Sequence, residues 1–150
     1  MAAGYYQFFL IPNENQGVLT DEGIEFIGSG FISFKIFVQY LENQQYVTNV
    51  PPSDKWPSFD DECYFSFDDG TYKFDLELNT GTREELMTEI SIRTSLFKSF
   101  GNISVSMEFC KIICNQFNLK TWDMKLRRII DLNIINDRLE VINKFNSFRM

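Results

Sequence analysis

The stretch FDDECYFSFDDGTYKFDLEL, residues 59–78, constrains this chain more than any other. Apolar side chains recur at every second position on both sides of Asp69-Gly70. Strict alternation marks a half-buried strand, and Asp-Gly between two such runs signals a two-residue type I′ turn. Pairing across that turn sets Phe67 opposite Tyr72, Phe65 opposite Phe74 and Cys63 opposite Leu76. Ser66 with Lys73, Tyr64 with Asp75, and Glu62 with Glu77 share the other face. A slip of one residue would reverse every side chain, so the stretch predicts a hairpin with one face in a core.

The rest of the chain supplies further strands and some helices. YYQFFLIP (5–12) predicts a first strand that ends at a proline. LTDEGIEFIGSG contains Gly23, Gly28 and Gly30 and predicts no definite element. FISFKIFVQYLEN (31–43) fits both a strand and a helix, and its length favours the helix. NVPPSDKWPS (49–58), with three prolines, predicts a surface loop. NTGTREEL (79–86) breaks the strand before it and can begin a helical turn, and EISIRTSLF (89–97) predicts another strand. Asn102 or Ser104 is placed to cap a helix carrying Val105, Phe109, Ile112, Ile113 and Phe117. NLKTWDM (118–124) reads as a helix-to-strand transition, and KLRRIIDL (125–132) as its hairpin partner. Leu139, Ile142 and Phe145 repeat at helical spacing within 134–145. The expected fold is α+β, a mostly antiparallel sheet with two or three packed helices. The 150 residues are read as a single domain, 1–150, and 16 phenylalanines agree with a large sheet.

Charge is segregated. Residues 1–80 hold 13 Asp/Glu and 3 Lys/Arg, a net of −10, while residues 81–150 hold 8 and 11, a net of +3. An acidic half repels nucleic acid and anionic membrane and attracts basic partners. No segment approaches the ~18 apolar residues of a membrane helix, and MAAGYYQFFLIPNENQ lacks the basic start of a signal peptide. Cys63, Cys110 and Cys114 are odd in number; the i, i+4 pair reads as small buried hydrophobes, and free thiols suit the cytoplasm.

Chemistry is poorly represented. The chain has no histidine, which removes the commonest general base and metal ligand. A calcium loop with Gly70 at its sixth position would need oxygen ligands where Phe65 and Leu76 stand. Carboxylates alone suit Mg²⁺, so a carboxylate–Mg²⁺ enzyme is one alternative. Glycosidase carboxylates need a cleft, which the solvent face of a hairpin does not supply. GSG (28–30) lacks the context of a phosphate loop. Arg127, Arg128, Lys120 and Lys125 beside Trp122 form a modest basic patch, but the net charge of −7 opposes nucleic-acid binding. No catalytic, cofactor-binding or metal-binding residue is nominated. What remains is an acidic protein-binding face: Asp60, Asp61, Glu62, Asp68, Asp69, Asp75 and Glu77, with Tyr64 and Trp56 as aromatic anchors.

With FDDECYFSFDDGTYKFDLEL, the strand EISIRTSLF and the run FCKIICNQFNLKTWD, the chain resembles the small acidic immunity proteins of bacterial contact-dependent inhibition and polymorphic toxin systems. The resemblance is one of overall type. It implies a non-enzymatic protein that binds a cognate toxin, often a basic nuclease, by covering its active site or an adjacent surface. The abundance of Asn, Ile, Phe and Lys is compatible with an AT-rich bacterial genome. The other alternative is a structural or adaptor domain of a different assembly.

Overall fold

A computed structural model describes residues 4–50, 63–79 and 86–149. The chain runs β1 (Tyr5–Pro12), β2 (Gln16–Thr20), β3 (Gly23–Ile27), β4 (Ile32–Ser33), α1 (Phe34–Glu42), β5 (Val47–Asn49), β6 (Tyr64–Asp68), β7 (Lys73–Asn79), β8 (Leu86–Met87), β9 (Glu89–Ser95), α2 (Ile103–Phe117), β10 (Leu119–Asp123), β11 (Arg128–Ile130) and α3 (Ile135–Phe148). Seven strands form one antiparallel sheet in the order β11-β10-β1-β9-β7-β6-β5. The fold is α+β, as the pattern predicts.

Alternation builds the core. Tyr6, Phe8 and Leu10 of β1, Ile90 and Ile92 of β9, and Phe74, Leu76 and Leu78 of β7 share one sheet face and are buried. α2 lies on that face: Thr94 Oγ1 and Ser106 Oγ are 2.5 Å apart, and the Phe109 ring meets Phe74 at 5.1 Å. α3 joins through Phe145 against Tyr6 at 5.8 Å, and α1 through Phe37 against Phe117 at 5.1 Å. Apolar burial on this scale is the main stabilising contribution to the fold.

Several elements depart from the sequence expectation, each for a visible reason. The β6–β7 hairpin keeps its predicted faces but shifts its pairing by two residues: Phe67 opposes Phe74, Phe65 opposes Leu76, Ser66 opposes Asp75 and Tyr64 opposes Glu77. The connection is four residues, 69–72, because Asp69 Oδ1 accepts from the N–H groups of Thr71 and Tyr72 at 2.9 and 2.7 Å. Asp68 Oδ1 likewise accepts from Gly70 N–H, and Asp68 then opposes Lys73. A slip of two leaves alternation intact, so the pattern alone does not distinguish the registers. Residues 31–43 divide between both predicted forms. Ile32–Ser33 pairs with β8, and α1 starts at Phe34, where Ser33 Oγ accepts from Ile36 N–H.

α2 begins at the Asn102 cap, whose Oδ1 accepts from Ser104 and Val105 N–H, and ends at left-handed Asn118. Its buried face is Ile103, Ser106, Met107, Cys110 and Ile113, so Ile112 of the predicted stripe is exposed. A serine takes an inward position because Thr94 satisfies it. On α3, Val141 and Phe145 are buried while Leu139 is 50% exposed. Most of the predicted loop 49–58 lies outside the described residues, as do 80–85 of the 79–86 break.

The hairpin β2–β3 occupies the segment for which no element was predicted. Gly23 and Gly28 stand at φ 128° and 142°, where glycine is favoured. A Cβ at Gly28 would collide with Asn15, whose amide clamps the loop. Asn15 Nδ2 donates to Gly30 O at 2.9 Å, and Gly30 N–H donates to Asn15 Oδ1 at 2.8 Å. Asn15 is buried, so removing its amide strands two backbone groups. We expect Asn15→Ala to cost about 2 kcal/mol, measured by urea unfolding, with faster hydrogen exchange confined to β2 and β3.

Candidate partner-binding surface

The sheet face opposite the helices is polar through its centre. Cross-strand registers align Gln7, Arg93, Asp75, Ser66 and Thr48 in one row, and Phe9, Ser91, Glu77 and Tyr64 in the next. Gln7 Nε2 donates to Ser91 Oγ at 2.7 Å. Arg93 Nη2 reaches Glu77 Oε2 at 3.2 Å, both side chains about one-third exposed. The nominated face therefore has an intramolecular cation, Arg93, beside Glu77. Burial raises the Asp75 carboxyl above its ordinary range, with Lys73 and Arg93 pulling it back.

Asp68 and Asp69 lie at the β6–β7 connection. Both bind their own turn backbone, and the Thr71 and Tyr72 N–H groups hold Asp69 below its usual pKa. Tyr64 is half-buried opposite Glu77. Asp60, Asp61, Glu62 and Trp56 lie outside the described residues. Among the described residues, no three acidic or thiol groups gather in a metal-holding cluster, and no helix is long and apolar enough to cross a membrane.

The predicted basic patch is dispersed. Trp122 is buried beneath β2–β3, its ring 6.4 Å from Phe26, which also meets Phe9 at 5.2 Å. Lys125 lies over the Phe148 ring, and Arg128 binds Asp137 and Glu140. Arg127 adopts a left-handed turn, φ 59°. Lys120 alone of the four lines a cleft of about 380 Å³ between the end of α2, β10 and the 131–133 connection.

The sequence reading missed the surface of β2–β3. Its inner face is pinned through Phe26, while Val18, Leu19 and Ile27 remain 39–49% exposed. Glu14, Asp21, Glu22 and Glu25 surround them, with no lysine or arginine between residues 13 and 34. A signal was present: TDEG between two short apolar runs marks a turn. Thr20 realises it by accepting from Glu22 N–H and donating to Gly23 O.

Comparison with protein-family models, curated proteins and solved structures found no match to this chain.

The Asp75 shift has a definite sign. A carboxyl whose folded pKa is raised contributes stability at low pH that is lost as pH rises through that pKa. We expect Asp75→Asn, followed by urea unfolding across a pH series, to gain stability relative to the parent from the ordinary carboxylate range towards neutrality. A constant difference would show that the half-buried carboxylate carries no such cost.

Proposed function

We propose that this chain is a non-enzymatic immunity protein that binds a basic toxin domain through its acidic half and so neutralises it. The observation that carries the reading is the uncommitted charge of that half. Among the described residues, Glu14, Asp21, Glu22, Glu25 and Glu42 form no ion pair; the ion pairs present join Arg93 to Glu77, and Arg128 to Asp137 and Glu140. Carboxylates left to solvent around a firmly anchored scaffold suit a partner of opposite charge. The apolar side chains beside them on β2–β3 suit close contact after encounter.

The mechanism is steering followed by occlusion. The field of the acidic half draws a basic surface inward and raises the association rate. Val18 and Ile27, on the face of β2–β3 that points away from Phe26, then exclude water from the toxin surface they cover.

The test pairs this chain with the C-terminal domain of any secreted protein encoded by a neighbouring gene. Co-expression is expected to restore growth, and binding kinetics to slow as salt is raised. Reversing Asp21, Glu22 and Glu25 to lysine is expected to lower the association rate by about tenfold or more, with dissociation changed less. Unchanged protection and affinity in the folded variant would remove β2–β3 from the interface. Absence of any complex would remove the immunity reading.

A further inference from the structure

The β2–β3 hairpin lies on the seven-stranded sheet without being part of it. Its two strands pair only with each other. Among the described residues, no hydrogen bond or ion pair joins residues 16–29 to the main sheet. Side chains alone hold the hairpin down. Phe26 meets Phe9 at 5.2 Å and Trp122 at 6.4 Å, and a Cβ added at Gly17 would stand 3.0 Å from the Trp122 ring. The cover is incomplete. Leu19 and Ile24 share the inner face with Phe26, since side chains two apart on a strand point the same way, yet Leu19 is 46% exposed and Ile24 only half-buried. The base of the hairpin is different. Buried Asn15 ties itself to Gly30 by two hydrogen bonds, and Gly28 beside them takes φ 142°. The hairpin thus has a fixed base and a body without polar ties.

What it covers is unusual. Phe9, Trp122 and Ile129 stand side by side beneath it, each opposite the next across the strands. The Trp122 indole N–H is buried there and, among the described residues, has no acceptor. A buried donor without an acceptor disfavours the covered arrangement, and water satisfies it once the cover lifts. Segments with few buried apolar contacts open on their own while the rest of a fold stays closed. We infer that β2–β3 is a lid. It swings as a unit on the Asn15–Gly30 base, uncovering and recovering Phe9, Trp122 and Ile129 while the seven-stranded sheet remains intact. The motion does not depend on the immunity reading, because an arm fixed in place would carry the same acidic contacts.

Hydrogen exchange read from nitrogen–proton correlation spectra tests this on the full chain carrying Trp56→Phe, which leaves Trp122 as the only indole. The Trp122 indole N–H and the paired amides of β2 and β3 are expected to exchange together. Their rate should exceed that of the β1 and β10 amides around Phe9 and Trp122 by about a hundredfold or more. Phe26→Ala removes the ring that holds the lid down. It is expected to speed indole exchange by about tenfold further, with the β1 and β10 amides unchanged. Three results would each overturn the proposal. The indole could exchange as slowly as the β1 and β10 amides, which would mean that the cover opens only with the sheet. It could exchange at a rate unrelated to the β2 and β3 amides, which would mean that the hairpin frays without lifting. Or Phe26→Ala could leave indole exchange as it was.

Discussion

The hydrogen bond from Tyr6 Oη to Asp123 Oδ2, 2.6 Å long and fully buried, is the contact on which much of this molecule depends. It joins the second residue of β1 to the last residue of β10 across the helix-covered sheet face. The other carboxylate oxygen accepts from Lys125 and Leu126 N–H at 2.8 and 2.9 Å, which folds the chain into β11. The Tyr6 ring in turn packs on Phe8 and Phe145. One buried carboxylate thereby sets strand pairing, the β10–β11 turn and the seat of α3. Burial raises its pKa, and three donors with Arg128 draw it back. The Tyr6 hydroxyl is pushed far up, by burial first and then by Asp123, and stays a donor. A buried charge is tolerated only where such donors surround it.

From that anchor the two sheet faces take different roles. The helix-covered face holds the large aromatic and aliphatic side chains and leaves little freedom for change. The opposite face has two zones. Around β1 and β10 it is sealed by Phe26 of β3. Across β9, β7 and β6 it remains a polar lattice built around Arg93. At the β11 edge Arg128 Nη1 donates to Ile129 O, and just past the strand Asp137 Oδ2 of α3 accepts from Asp131 N–H. Side chains that occupy an edge strand's backbone groups discourage pairing with another chain.

Much of this was legible in the residues. β1 matches its predicted span, the Asn102 cap sits where its side chain allows, and the faces of β6 and β7 follow their alternation. The misses have specific causes. Gly23, Gly28 and Gly30 left LTDEGIEFIGSG without a definite element, yet they serve a hairpin held by Asn15 from a preceding loop. Ile112 and Leu139 fit helical stripes but lie outside the buried arcs, because the approach of neighbouring elements selects the inward face. Glu77 of the nominated acidic face meets Arg93, a residue 16 positions away and invisible to local pattern.

The amino-acid sequence by itself determined the class of the fold, the polarity of the β6 and β7 faces and the segregation of charge. These follow from short-range periodicity and composition, which act within a few residues. Register, the partner of each carboxylate, the covering of Trp122 and the cleft at the end of α2 were decided only by tertiary structure. Each depends on groups far apart in the chain, as with Tyr6 and Asp123, separated by 117 residues, and such pairs take their energy from a geometry that exists only once the sheet has closed.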